Sequence, residues 1–188
     1  MPSTSAPFGM RPSFHPSGLD RAVALPGGIP SGYSTNLLKG QPVALNTSGV
    51  IIAATAGSAF QGAFAGVEFT DTTGRRRVSN YWPASTTGTD ITAYYYSDPN
   101  IVYDIQADGV LAQTSIGDQA NFSNIAAGST TTGLSACTIS TSLVGTSAVG
   151  DLRIIGLYPG VDNAWGDAYT IVQVQISRSQ YVATINAI

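Results

Sequence analysis

The sequence predicts an all-β protein: an antiparallel β-sandwich or β-barrel with an extended, proline-rich N-terminal arm. Three observations carry this. Short apolar runs alternate with turn clusters of Gly, Asn and Asp along most of the chain. No window combines apolar residues at i, i+3 and i+4 with capping residues, so no amphipathic helix is predicted. Six of the ten prolines fall within the first thirty residues. At 188 residues the chain can bury a sizeable core as one domain. The predicted organisation is an arm over residues 1–33 and a single β domain over 34–188.

The arm comes first. Pro2, Pro7, Pro12, Pro16, Pro26 and Pro30 exclude helix and disfavour pairing inside a sheet. The same segment carries Phe8, Met10, Phe14, Leu19, Val23, Leu25, Ile29 and Tyr33. An extended chain cannot bury these groups against itself. The arm is therefore expected to lie on another surface, either its own body or a neighbouring subunit.

The body follows strand by strand. Pro42–Leu45 and Val50–Ala53 flank Asn46–Gly49, which reads as a hairpin. Ala63–Thr70 is the next strand, closed by the turn Asp71–Gly74. Ile91–Tyr96 is rich in strand formers and is ended by Ser97, Asp98 and Pro99. Ile101–Ala107 runs to Asp108-Gly109, a hairpin signal, and Leu152–Tyr158 stops at Pro159-Gly160. In Ile171–Ser177, Val172, Val174 and Ile176 share one face, with Gln173, Gln175 and Ser177 on the other. Cys137 is expected in a strand as a small buried hydrophobe. Ala126–Thr132 reads as a mobile loop of small residues.

Composition narrows the chemistry. Charged residues are 10% of the chain, against about 25% in an average domain. Lys39, Glu68, His15 and Cys137 are each the only residue of their type. One Cys and one His cannot assemble a zinc site, and one Cys cannot form an intrachain disulfide. The net charge of −3 leaves no basic footprint for nucleic acid. No apolar run approaches the roughly 18 residues of a membrane span. The N-terminus lacks the basic-then-apolar order of a signal peptide, which predicts use without export. The glycines form neither GxGxxG nor GxxxxGK[ST]. The expectation is a protein that is not an enzyme and takes no cofactor or metal.

Arg75, Arg76 and Arg77 are the sharpest local feature. In a strand Arg75 and Arg77 would share one face and Arg76 the other. They suit a docking patch for an acidic surface, since guanidinium forks pair with carboxylates. They equally suit a solvated or internally paired cluster. Tyr81 and Trp82 follow directly, and Arg and Trp are favoured at protein contacts, although a core Trp fits as well. Tyr94, Tyr95 and Tyr96 place rings on both faces of a strand, which also admits carbohydrate stacking. Asp98, Asp104 and Asp108, or Asp162 and Asp167, could supply carboxylates to a hydrolase, but nothing in the sequence sets a cleft between them. Asp162, Asn163 and Asp167 lack the spacing of a calcium loop, so turn roles are the default. His15, between Phe14 and Pro16, reads as a contact residue of the arm.

Five stretches together resemble a known family. They are FGMRPSFHPSGLDRAVALPGG, KGQPVALNTSGVI, FAGVEFTDTTGRRRVSNYWPA, DPNIVYDIQADG and NAWGDAYTIVQVQI. They look like a capsid decoration (cement) protein of a tailed bacteriophage, from about Phe8 to about Val182. The resemblance implies a mostly β, often trimeric protein on the outside of the expanded head, where it reinforces the shell. Its implied partners are the major capsid protein and further copies of itself, its implied location the virion, and its implied activity non-enzymatic. It transfers no fixed binding residues. The contact residues expected from the side chains themselves are Phe8, Phe14 and Leu19 of the arm, with Arg75, Arg76, Arg77, Tyr81 and Trp82. A tail, neck or fibre-base component and a carbohydrate-binding module using Tyr94–Tyr96 or Trp165 are the alternatives. A hydrolase using Asp104 with a second Asp is the third.

Overall fold

The computed structural model describes residues 4–18 and 21–183. Its fourteen strands, in chain order, are β1 (Arg11–Phe14), β2 (Val23–Pro26), β3 (Pro42–Leu45), β4 (Ile51–Ala53), β5 (Gly62–Thr70), β6 (Arg76–Ser79), β7 (Thr89–Tyr95), β8 (Val102–Gln106), β9 (Gln119–Phe122), β10 (Gly128–Ser129), β11 (Leu134–Ser135), β12 (Ile139–Leu143), β13 (Leu152–Leu157) and β14 (Ile171–Ile176). Among the described residues the only helical turn is Gln113–Ser115. The fold is all-β, with antiparallel sheets packed together as in a β-sandwich.

One sheet has the order β1-β8-β14-β13-β9-β12. The other runs β2-β7-β5-β3-β4, with β6 added to β5. A short ladder of β10 and β11 stands apart. All strand pairs are antiparallel. β14 alternates as its sequence requires: Val172, Val174 and Ile176 are buried, while Gln173 and Gln175 are half-buried on the far face.

The interior forms two apolar clusters. The first gathers Tyr103, Ile105, Ile139, Leu152, Ile154 and Val174 of the first sheet with Phe60 and Ala63. The second gathers Val43, Ile51, Phe64, Val67 and Tyr95 with Leu37 and Trp82. Ala44 and Ala63 join the first cluster while their neighbours Val43 and Phe64 join the second. β3 and the start of β5 are therefore buried on both faces, which explains their nearly unbroken apolar runs. At this seam Gly62 has no room for a side chain, because a Cβ would collide with the Tyr96 carbonyl oxygen.

Residues 4–33 enter both sheets, apart from Leu19 and Asp20, which lie outside the described residues. β1 pairs with β8 and β2 pairs with β7, each as the outermost strand of its sheet. That is where Pro12 and Pro26 are tolerated, since an edge strand does not need every N–H. Ahead of β1, Met10 is buried and its N–H donates to the Gly40 carbonyl at 2.8 Å. Gln106 fixes the chain start by accepting from the Ala6 N–H (2.9 Å) and donating to the Thr4 carbonyl (2.8 Å). Ile29 is buried as well.

Two local expectations change. Ala126–Thr132 includes β10, and the Thr132 carbonyl accepts from Asn80 Nδ2 at 3.0 Å. Cys137 lies between β11 and β12 rather than in a strand. It is buried, and desolvation pushes its thiol up to about 11.

Candidate functional site

The exposed side chains expected to make contacts sit on two outer strands, β1 and β6. On β1 the central group is Arg11. Its guanidinium donates to Asp104 Oδ2 at 3.1 Å and lies over the rings of Phe8, at 4.6 Å, and Tyr158, at 5.4 Å. Asp104 is buried in β8, opposite Arg11 in register, and also accepts from Gln173 Nε2 at 3.4 Å. The carboxylate considered for hydrolysis is thus engaged as a structural counter-ion. Phe14 ends β1 with 46% of its surface exposed. Between Phe8, Met10, Phe64, Tyr96 and Leu134 lies an apolar cleft of about 190 Å³, with Arg11 and Lys39 in its wall.

His15 is tied locally. Its Nδ1 accepts the Ser17 N–H at 3.0 Å, so that nitrogen carries no proton in this arrangement, and Ser17 Oγ lies 2.6 Å away. Nε2 stands 3.1 Å from Asp98 Oδ2 without hydrogen-bond alignment.

On the other sheet, the Asp71–Gly74 turn builds the β6 surface. The Asp71 carboxylate accepts from the Thr73 hydroxyl (2.6 Å), the Thr73 N–H (2.9 Å), the Arg75 N–H (3.0 Å) and Arg77 Nε (2.7 Å). Led by the Thr73 hydroxyl and the Arg77 guanidinium, these donors hold its carboxyl well below the usual range. Gly74 closes the turn at φ +80°, a conformation that favours glycine. Arg76 reaches a different set: Glu68 Oε1 at 2.9 Å and the Asp90 carbonyl at 2.8 Å. Glu68 also accepts from the Tyr94 hydroxyl at 3.1 Å, which raises that hydroxyl's pKa.

The arginine cluster is therefore mostly paired within the protein. Only Arg75 has no side-chain partner among the described residues, and it begins outside β6, in the turn. Within β6, Val78 is 82% exposed. Arg77, Val78 and Tyr81 line an open groove of about 460 Å³ together with Phe69 and Pro83.

Trp82 requires correction as a contact residue. It is fully buried, its ring meets Phe69 edge-on at 5.1 Å, and its backbone bridges Leu37. The residue after a half-buried Tyr81 turns fully inward because this bridge fastens it to the second cluster. Leu19 lies outside the described residues. Phe8 and Phe14 belong to the β1 edge, and Arg75, Arg76, Arg77 and Tyr81 to the β6 edge. The two groups sit on outer strands of different sheets.

The tyrosine run does not make one platform. Tyr95 is buried, Tyr94 is bound to Glu68 and Tyr96 lines the cleft by Phe8. The approach of Arg11 to Tyr158, beside its near neighbour Phe8, was not legible in the sequence, because Tyr158 is distant along the chain. No family model, curated protein or solved structure matches this chain.

Proposed function

We propose that this protein is a structural virion component. It binds the outer surface of a tailed-phage head and stabilises the capsid by bridging neighbouring major capsid subunits, as a homotrimer. One observation carries the proposal: the outer strands β1 and β6 each carry a large apolar side chain in solvent, Phe14 and Val78, beside a free ladder edge. Edges of this kind accept a further strand or a flat partner surface. The unpartnered Arg75 guanidinium adds a group that would pair with an acidic shell residue. The five sequence stretches that resemble decoration proteins support the same reading. Two separate weak surfaces suit a bridging role, because contacts linked within one molecule multiply in strength.

The test is the stoichiometry of this chain in purified virions, by quantitative mass spectrometry against the major shell protein. A ratio set by shell symmetry is the expected result. A count of a few copies would move the protein to the tail or neck, and its absence from particles would overturn the virion assignment.

A further inference from the structure

Across the first sheet from β1, a second cavity opens on the other side of β14. It has a volume of about 200 Å³ and is lined in part by the chain after β14, at Ser177, Ser179 and Val182. Arg153 of β13 lines it, opposite Gln175 of β14 in register. The Arg153 guanidinium has no carboxylate and no side-chain hydrogen bond among the described residues, and its Nε is buried without a partner. Ser177 lines the same cavity. It is 4% exposed, and its hydroxyl is also buried without a partner among the described residues. Buried donors of this kind are uncommon in folded proteins, and each needs an acceptor. Arg153 as a whole is half-buried, and its buried Nε is the part of the guanidinium that lacks an acceptor.

From these groups we infer that the Arg153–Ser177 cavity is a binding site for a small monocarboxylate. A guanidinium offers a planar fork that matches a carboxylate's two oxygens, and the serine hydroxyl supplies one more donor. One cation balances one negative charge, so a phosphate or sulfate dianion would keep an uncompensated charge in the cavity. The rest of the wall includes Pro99, Ile176 and Val182, which suits a short aliphatic body behind the carboxylate. The volume accommodates more than the charged group alone. This assignment stands apart from the virion reading, since the cavity shares no residue with the β1 and β6 surfaces.

The test uses the full chain with butyrate as the probe, read by NMR at the arginine Nε–Hε resonances. The expected result is a saturable shift of the Arg153 resonance, with other arginine resonances unmoved and sulfate at equal ionic strength giving no such shift. Arg153→Gln should abolish saturation, and Ser177→Ala should weaken butyrate binding about tenfold, as loss of one charge-assisted hydrogen bond implies. Backbone amide spectra of both variants check that the fold is intact. Should Arg153→Gln not fold, Arg153→Lys serves, with binding expected to weaken because the planar fork is gone. A non-saturating response, or an equal response to sulfate, would overturn the site as a carboxylate receptor.

Discussion

The fully buried Asp151 carboxylate faces Arg178 Nε at 3.7 Å, across 27 residues of sequence and between two chain segments. Asp151 stands at the entry to β13 and Arg178 just beyond β14. The carboxylate also accepts from the Gly57 N–H at 3.0 Å and the Phe122 N–H at 3.1 Å. Burial pushes its carboxyl up, against the opposing pull of those N–H groups and of Arg178. Arg178 donates in turn to the Gly57 and Val149 carbonyls. One ion pair thus joins the loop before β5 to β9, β13 and the segment after β14.

Asp151→Ala should destabilise the protein by about 3 kcal/mol, the low end for breaking a buried pair because Arg178 remains partly in solvent. Asp151→Asn should cost less, since its carbonyl still accepts from a backbone N–H. Urea midpoints at constant m-value measure both. Equal losses in the two variants would contradict the account.

The Asp71 contacts give acid sensitivity to the β5–β6 hairpin. The folded carboxyl is held below its ordinary value of 3.8. A depressed acidic group stabilises fully above its unfolded value and loses that contribution as pH falls through the folded one. Amide exchange in β6 should therefore accelerate, relative to the intrinsic rate, as pH drops below about 3.8. Asp71→Asn should remove most of this acid dependence while raising β6 exchange at neutral pH.

Trp82→Ala should cost about 3–5 kcal/mol, the range for deleting a large buried aromatic. Tyr81→Ala, at a half-buried position one residue away, should lower the thermal midpoint distinctly less. Thermal melts compare the two directly, and similar losses would mean that Trp82 does not fill the core.

Phe14→Ser and Val78→Ser should each change stability by no more than about 0.5 kcal/mol, as for other surface sites. The double variant should lose most of its binding to phage heads in a sedimentation assay. Undiminished binding would show that neither edge strand makes the shell contact.

Gly62→Ala should prevent folding, because the new methyl group would collide with the backbone of Tyr96, which cannot retreat within the seam. Gly145→Ala, with open space around it, should be neutral. Soluble yield and circular dichroism separate these outcomes.

By itself the sequence determined the fold class and most of the apolar strands. β3, β4, β5, β7, β8, β13 and β14 fall within about two residues of where apolar runs and turn residues put them. Each such run must cover a face, and each Gly, Asn or Asp cluster permits the reversal between them. β9 to β12 were not legible, because residues such as Gln119 and Ser135 are polar yet buried. Their burial is permitted by partners supplied from elsewhere, such as the Gly150 N–H on Gln119. The proline-rich start showed that it needed a surface, but not which one; two sheet edges with unfilled ladders on the same chain provided it.

Only the tertiary structure decided which charges and rings meet. Adjacent arginines pair with different acids, Trp82 is fully buried while adjacent Tyr81 is only half-buried, and Arg11 finds Asp104 at a separation of 93 residues. Local pattern specifies that a face is apolar or a side chain charged. The partner of that charge depends on strand order and register, which are collective properties of the packed sheets.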